Sequence, residues 1–373
     1  MTQPTYPVPL PKWPGLTHLT DIPVDWGLDL DRTVGQRQSS FRFQLINGVT
    51  GALKGDITPL RTAQLTHDST RTIKRQLSFA LGVADTARVQ EEVDRVVVFM
   101  LTGGQVYPLG RYAFSSEQDA TSTGGARSSD TLLDEMTIVD QQLESGFPSQ
   151  ELVGASNFSV PVAVGQLLSG LPILGATVAP SQFPVVGAWS PGTTKGQVLA
   201  ALAQQGDYQT PWFANNGFFT MVRTINPEEA EPTIDLDRGA RVIRDSITTT
   251  STLLVAPNRF LVVSNSGGAQ SAPIVGRYDV PPSAPNSIQN IGFVRPSITN
   301  AQVDSQSQAD ALARQLGLQN TITRTVQLAT PPDPRHDGYD VVRWQGQNWL
   351  ELGWSMPLVE GGQMTHTLRR SFT

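Results

Sequence analysis

The sequence has no cysteine, few charged residues, no excess of basic residues and no long hydrophobic run. Without cysteine the chain forms no disulfides and offers no thiolate nucleophile, no iron–sulfur ligands and no cysteine-based zinc site. Only 16% of the 373 residues are charged, and 27 Lys and Arg against 33 Asp and Glu disfavour a basic nucleic-acid-binding protein. The net charge of −6 is also too small for an intrinsically disordered chain. We therefore expect a folded protein with no sequence-specific nucleic-acid binding.

Features of membrane and exported proteins are missing as well. The longest apolar stretches, 96–101 and 160–174, are short or interrupted, so we expect no membrane insertion. The first fifteen residues contain five prolines and no apolar run, which is not the pattern of a targeting signal. The length of the chain predicts two to four domains.

The motifs of common catalytic and cofactor sites are absent. The sequence has no G-x-S-x-G turn, no P-loop and no dinucleotide fingerprint. None of the four histidines has a second histidine three or four residues away, which excludes an H-E-x-x-H zinc helix; they are His18, His67, His336 and His366. His336 lies in a turn signature, which favours a structural role. We expect no catalytic, cofactor-binding or metal-binding residue, and no enzyme.

One enzymatic alternative stays open at this stage. A glycoside hydrolase needs two carboxylates roughly 5–9.5 Å apart, which a sequence cannot exclude. The acidic cluster within 21–31 lacks the spacing of a calcium loop, so we interpret it as a solvated segment. Trp349 and Trp354 lie five apart on one predicted strand and should face opposite ways, with Trp344 across the turn. We interpret these three as core or interface rather than as a sugar platform.

Alternating apolar and polar residues predict a first β-rich region over 41–149. The predicted strands are 41–45, 60–67, 73–81, 93–101, 105–114 and 132–141. Valine is frequent in 93–101, which indicates a strand buried on both faces. Gly103 and Gly104 predict a hairpin, and 120–129 a polar loop. Six short strands in about 100 residues are typical of a small antiparallel barrel or sandwich.

Residues 150–232 predict a mixed α+β region. The predicted elements are helices 162–168 and 194–205 and strands 208–214 and 218–223. Thr194 is expected as an N-cap and Gly206 as the residue just past the second helix. Residues 215–217 (Asn-Asn-Gly) predict a tight turn between the two strands.

The last third of the sequence is again rich in β-strand. The predicted strands are 242–249, 259–265, 321–329, 339–345, 348–354 and 363–372, with a turn at Gly346. Residues 304–317 predict a helix, because its apolar residues recur at i, i+3, i+4 and i+7, and Gly317 is expected to end it.

These patterns predict a mainly β fold with an α+β insertion. The expected domains are an extended N-terminal arm (1–40), a first β-barrel (41–149), an α+β insertion (150–232), a second β-barrel (233–265 with 318–373) and an insertion with a helix (266–317). Two interpretations of the proline-rich arm stay open, because Trp13 and Trp26 could cover the chain's own main body or dock on a neighbouring subunit.

Several segments resemble, in order, the baseplate hub family of bacteriophage tails. They are 65–77 (LTHDSTRTIKRQL), 95–111 (RVVVFMLTGGQVYPLGR), 194–219 with Trp212 and Gly217 in a W-x-x-x-x-G turn, Pro257 and Asn258 before 260–263, and the closing segment from Leu358 to Arg370. The resemblance covers 41–373, whereas 1–40 has no counterpart that we assign.

The resemblance implies a structural, non-catalytic tail hub. In this family two small β-barrels per chain let a homotrimer imitate a six-membered ring, which joins the sixfold tail tube to the threefold tip. The implied partners are a distal tail protein or tail-tube ring, a tape-measure protein and other tail-tip proteins. The expected location is the virion tail tip, after assembly in the host cytoplasm. A peptidoglycan- or carbohydrate-active tail enzyme and a receptor-binding module are the alternatives.

Overall fold

The structure is a computed structural model that confirms a mainly β chain, with 43% strand and 16% helix. It describes residues 39–60, 63–82, 85, 87–116, 126–148, 158–181, 183–237, 242–251, 256–264, 273–320 and 323–371. The predicted arm, with Trp13, Trp26, His18 and the acidic cluster, falls outside these ranges except for its last two residues.

Nineteen strands are formed by the described residues. They are β1 Ser39–Asn47, β2 Leu53–Ile57, β3 Ala63–Asp68, β4 Arg75–Gly82, β5 Asp94–Thr102, β6 Gln105–Ser116, β7 Ala126–Asp134, β8 Ala176–Val178, β9 Trp212–Phe213, β10 Phe219–Met221, β11 Ile234–Asp235, β12 Ile243–Ser251, β13 Arg259–Ser264, β14 Val275–Asp279, β15 Pro296–Ala301, β16 Thr323–Thr330, β17 Val341–Trp344, β18 Gln347–Leu358 and β19 Met364–Ser371. The helices are α1 Met136–Val139, α2 Val160–Leu168, α3 Lys195–Gln205, α4 Ile288–Ile291 and α5 Gln306–Asn320.

Thirteen strands form one large sheet. Its order is β12-β16-β19-β18-β3-β4-β7-β6-β5-β1-β2, and β17 also pairs with β18 and with β11. β5 lies inside this sheet and is buried along almost its whole length, as its valine content predicts. The two β-rich regions of the sequence are therefore parts of one continuous sheet.

The two halves of this sheet meet at β18. Its first residues pair with β17, and its last six, from Gly353 to Leu358, pair antiparallel with β3. β19 runs along β18, and the register between them shifts by one residue between Glu351 and Gly353. This β-bulge bends β18 between its pairing with β17 and its pairing with β3.

The strands before α1 curl back towards their own beginning. The chain after β2 forms a bridge from Pro59 to Leu81 of β4, and Leu60 donates its N–H to Ala80 at 2.7 Å. A buried apolar cluster that includes Leu45, Leu65 and residues of several other strands fills the space inside. Within the described residues the strand ladders form an open path from β12 to β2 rather than a closed barrel.

The region between the two β-rich parts packs separately. β8, β10 and β9 form a three-stranded sheet against α2 and α3 around one apolar cluster. Thr194 is the N-cap of α3 as predicted, because its Oγ1 accepts the Gln197 N–H; Gln197 also reaches back to the Thr194 N–H, which completes a capping box. The turn between β9 and β10 has Gly217 at φ +78°, as its Asn-Asn-Gly sequence predicts.

A third sheet, in the order β14-β13-β15, is covered by α5. β13, which the sequence assigns to the second β-rich region, pairs here instead of in the large sheet. Helix and sheet approach closely at two glycines. A Cβ on Gly276 would lie 2.2 Å from the Ala309 backbone, and a Cβ on Gly317 would lie 2.2 Å from the Tyr278 ring.

Some local predictions are wrong. Gly317 does not end α5, which continues to Asn320; the glycine is needed there for contact with Tyr278. Residues 132–141 are not one strand, because β7 ends at Asp134 and α1 follows. Gly206 follows α3 as expected but has φ −92° and not a left-handed conformation. β2 was not predicted, and 126–129 of the predicted polar loop belong to β7.

Candidate functional site

The carboxylate of Asp337 links three separate parts of the described chain. It accepts hydrogen bonds from Arg75 Nη2, from Trp212 Nε1 at 3.0 Å and from the Asn215 N–H at 3.1 Å. Asn215 Oδ1 also accepts from Arg75 Nη1 at 2.6 Å. We call Arg75, Trp212, Asn215 and Asp337 the Asp337 junction. It joins β4 of the large sheet, the turn of the middle region and the loop before β17.

Each member of the junction is held in place by its own element. Arg75 lies at the start of β4, is 1% exposed and stacks over the Trp354 ring at 5.6 Å. Burial alone would lower the pKa of Arg75, but the neighbouring Asp337 raises it, so the guanidinium remains charged. The Asp337 backbone is fixed as well, because its N–H donates to Asp340 and its carbonyl accepts from Trp354 Nε1 at 2.8 Å.

A second carboxylate, that of Asp134, holds the backbone next to the Asp337 junction. Asp134 accepts the backbone N–H groups of Lys74, Arg75 and Met136 at 2.9–3.2 Å, so it links β4 to the start of α1. Burial raises its pKa to about 6, even though these hydrogen bonds favour the charged form. Lys74 Nζ donates to Ser69 O and Thr210 Oγ1, both at 2.8 Å.

An ion pair is buried near this group. Arg111 Nη2 lies 3.2 Å from Glu135 Oε1, and both side chains are almost fully inaccessible. Burial raises the pKa of Glu135, while Arg111 and Arg95 act against that rise. Gly217 of the middle region lies over Arg111, where a Cβ would come within 3.2 Å of the arginine side chain. The ion pair therefore underlies the contact between the middle region and the large sheet.

Two histidines share one carboxylate at the bulge of β18. His336 Nδ1 and His366 Nδ1 each lie 2.7 Å from a different oxygen of Glu351, and His366 Nε2 lies 2.8 Å from Thr330 Oγ1. All three side chains of this His–Glu–His triad are 1–2% exposed. Burial would raise the pKa of Glu351, but His336 and the hydrogen bonds from both histidines lower it to about 2.

The triad has residue types that bind metal ions, but its distances are those of hydrogen bonds. Its possible ligand atoms lie within 4.8 Å of one another. Ligands at about 2.0–2.1 Å from a tetrahedral zinc ion are roughly 3.3 Å apart. The 2.7 Å separations from nitrogen to oxygen suit charge-assisted hydrogen bonds instead. We interpret the triad as structural, and the expectation that the chain binds no metal remains a prediction.

The structure brings together residues that the sequence left apart. The turn signature around His336 is confirmed, but the approach of His336 and His366 to Glu351 was not predicted. His67, on β3, stacks on Trp354 with ring centroids 5.7 Å apart. Trp344, Trp349 and Trp354 are all buried, and Trp354 belongs to a different apolar cluster from the other two. Their interpretation as core is confirmed.

Comparison with known proteins gives no match by sequence but several by fold. No protein-family model and no curated protein matches the chain. The tail protein from Neisseria meningitidis MC58 is similar with a TM-score of 0.55 and 15% identity, over 89% of this chain and 97% of that chain. The 43 kDa tail protein of prophage MuSo2 from Shewanella oneidensis gives 0.55 and 13%, over 89% and 98%. The chain has the fold of phage tail proteins.

A third similar structure is a prophage tail protein from another bacterium. Prophage tail protein gp18 from Listeria monocytogenes EGD-e has a TM-score of 0.53 and 10% identity, over 89% of this chain and 95% of that chain. Because nearly the whole length of each chain aligns, the likeness covers the entire architecture and not one module. The resemblance to phage tail and baseplate proteins is thus confirmed at the level of the fold. Among the described residues, no helix is both long and apolar enough to span a membrane.

Proposed function

We propose that the chain is a structural hub of a long-tailed bacteriophage, located at the tail tip of the virion. Three copies would form a ring that joins the sixfold tail tube to the threefold tip and lines part of the channel for DNA ejection. Its partners would be a tail-tube ring or distal tail protein, a tape-measure protein and other tail-tip proteins. The chain would act by holding neighbouring proteins in place and would catalyse no reaction.

The observation that carries this proposal is the pairing of β18 with β3. It places two β-rich halves side by side in one polypeptide, joined by a strand ladder from Gly353 to Leu358. Three such chains contain six β-rich halves, so a threefold ring would present six β-rich units to a sixfold tube. The strand ladder between β18 and β3 holds the two halves at a fixed distance and angle. A ring with regularly spaced units requires such a fixed arrangement.

The electrostatics of the chain suit a DNA conduit. The net charge of −6 disfavours adhesion of DNA phosphates to the wall of a channel. Basic side chains in the described regions are largely engaged with carboxylates, as in the pairs of Arg75 with Asp337 and Arg111 with Glu135. Weak attraction would let a genome pass without being held.

Three buried carboxylates of the described chain are placed for support rather than for catalysis. Asp134 accepts three backbone N–H groups, and Glu351 accepts from two histidines. Glu135 faces Arg111. A glycoside hydrolase needs one acid and one base or nucleophile facing an open cleft, whereas these three groups are buried in the framework.

The proposal is tested by locating the protein in assembled tails. A phage with an amber mutation in this gene should produce tail tubes without an attached tip, and complementation should restore the tip. Gold-labelled antibody should mark the junction of tube and tip with threefold order. Complete tails in the absence of the protein, or label along the whole tube, would contradict the proposal.

A further inference from the structure

A cleft of about 330 Å³ opens beside the Asp337 junction. It lies between the turn from β3 to β4, helix α3, the C-terminal end of α5 and the strands β18 and β19. Three of its lining residues are cationic, namely Arg71, Lys74 and Arg369, and no carboxylate is among the described residues that line it. The other polar lining residues include Ser69, Thr70, Thr72, Thr210 and Tyr339.

We propose that this cleft binds an oxyanion, either a free phosphate or the carboxylate of an acidic polypeptide. The shared chemistry is one anionic group held by the Arg369 guanidinium, with the Arg71 guanidinium as a second cationic contact. The cleft has room for a small anion or a side chain, but it is too small for a DNA duplex.

Arg369 is the anchor because no described residue compensates its charge. Its Nη1 donates to the carbonyl of Gln319 at 3.2 Å, and it forms no ion pair with any residue that the structure describes. Burial lowers the pKa of Arg369, and the electrostatic influence that opposes this comes from Tyr339, which is not a carboxylate. A partly buried guanidinium without a carboxylate is costly, and an oxyanion would supply the missing partner.

Lys74 adds positive potential without contacting the anion directly. Its ammonium group is directed to three neutral acceptors, Ser69 O, Arg71 O and Thr210 Oγ1, at 2.8–3.1 Å. Burial lowers its pKa to about 8, although Asp134 and Asp68 favour its charge. An anion nearby would help to keep this ammonium protonated.

Arg71 lies at the mouth of the cleft. Its Nε is 3.1 Å from Asp68 Oδ2, and the side chain of Arg71 is 66% exposed. This exposed pair can open at little cost, because surface ion pairs contribute about 0–1 kcal/mol. Arg71 therefore adds a second contact for an incoming anion, while Asp68 competes for it.

The test is titration calorimetry on the full chain at constant ionic strength, with inorganic phosphate and with a hexaglutamate peptide as separate probes. Saturable binding of either probe is expected, with a loss of at least about tenfold in Arg369→Gln and a smaller loss in Arg369→Lys. Arg343→Gln is the matched control, since Arg343 lies on β17 and faces Asp237 outside the cleft.

Each outcome decides the proposal. Phosphate binding that depends on Arg369 identifies a free anion, and tighter peptide binding that depends on Arg369 identifies an acidic chain. No saturable binding of either probe, or binding that is equal in the wild type and Arg369→Gln, would overturn it. If Arg369→Gln does not fold, Arg71→Gln serves instead, because its exposed side chain can be replaced without disturbing the core; its affinity should fall about threefold.

Discussion

Trp354 of β18 and His67 of β3 are register partners whose rings stack at 5.7 Å, at the point where the two halves of the large sheet meet. His67 is buried, and burial, together with Arg75 and Lys74, holds its pKa well below 6.5, so the ring is neutral at pH 7. A neutral ring stacks on Trp354 without the cost of burying a charge. At this position the two halves meet through an apolar, stacked contact, whereas the ion pair of Arg75 with Asp337 links them elsewhere.

The join should be sensitive to a single added methyl group at Gly353. A Cβ at this position would lie 2.6 Å from the His67 carbonyl oxygen, which belongs to the backbone and cannot rotate away. Gly353→Ala should lower the free energy of unfolding by about 1–3 kcal/mol and speed amide exchange in β3 and β18. Denaturant unfolding and hydrogen exchange measure the two effects.

Gly82→Ala is the control for this substitution. Its added Cβ would meet Leu60 at 3.5 Å, an ordinary contact, so we expect a change within about 0.5 kcal/mol. If the two variants were equally stable, the close packing of β18 on β3 would not hold the halves together.

Asp337 should contribute more to stability than its place in a loop suggests. Asp337→Asn removes the charge that faces the buried Arg75 and leaves that guanidinium without an anionic partner. We expect a loss of about 2–4 kcal/mol, with earlier unfolding of the middle region, because Trp212 and Asn215 donate to different oxygens of Asp337 and an amide keeps only one of them. Thermal unfolding followed by tryptophan fluorescence measures this loss.

Asp56→Asn provides the comparison, because Asp56 pairs with Arg42 at an exposed site. Its effect should stay below about 1 kcal/mol. An Asp337→Asn variant no less stable than Asp56→Asn would mean that the Asp337 junction does not hold the middle region on the sheet.

The His–Glu–His triad predicts a stability difference that depends on pH. The pKa of Glu351 is lowered from 4.5 to about 2, so its contribution is complete above pH 4.5 and is lost as the pH falls towards 2. Burial opposes the charge of His336, but Glu351 outweighs it and raises the pKa of His336 above 6.5. That contribution is complete below pH 6.5 and is lost as the pH rises through the folded-state pKa.

The wild type should therefore exceed Glu351→Gln in stability most strongly between about pH 4.5 and 6.5, by roughly 3 kcal/mol. Urea unfolding of both proteins from pH 3 to 9 gives this difference directly. A difference that stays constant over the whole range would show that the three groups do not titrate as a unit.

Metal ions should leave the triad unaffected. Because the nitrogen and oxygen atoms already lie at hydrogen-bond distance, zinc would have to separate them and displace two protons. Adding zinc chloride or EDTA should shift the melting temperature no more in the wild type than in His366→Gln. A zinc-induced rise that His366→Gln abolishes would show a metal site instead.

Local sequence patterns predict most of the individual elements and little of how they combine. Thr194 and Gln197, which lie within four consecutive residues, specify the start of α3. The turn at Gly346 is also local, because glycine readily adopts the positive φ of 70° found there. The end of α5 was mispredicted at Gly317. This glycine does not end the helix; it is required there because the ring of Tyr278, which is distant in the sequence, packs against it.

The candidate site depends entirely on distant contacts. Asp337 meets Arg75 across 262 positions, and Glu351 meets two histidines that are each 15 positions away on different elements. Neither arrangement has a local spacing that a motif could express. The pairing of β18 with β3 is of the same kind, since nothing in either strand marks the other as its neighbour.

We propose that two joined β-rich halves let three chains form a ring of six units. Light scattering with electron microscopy of the isolated protein tests it most directly. We expect a mass of about 121 kDa, three times 40.3 kDa, and ring-shaped particles with a central pore and six lobes around a threefold axis. A monomer, a dimer or a particle without a pore would contradict it.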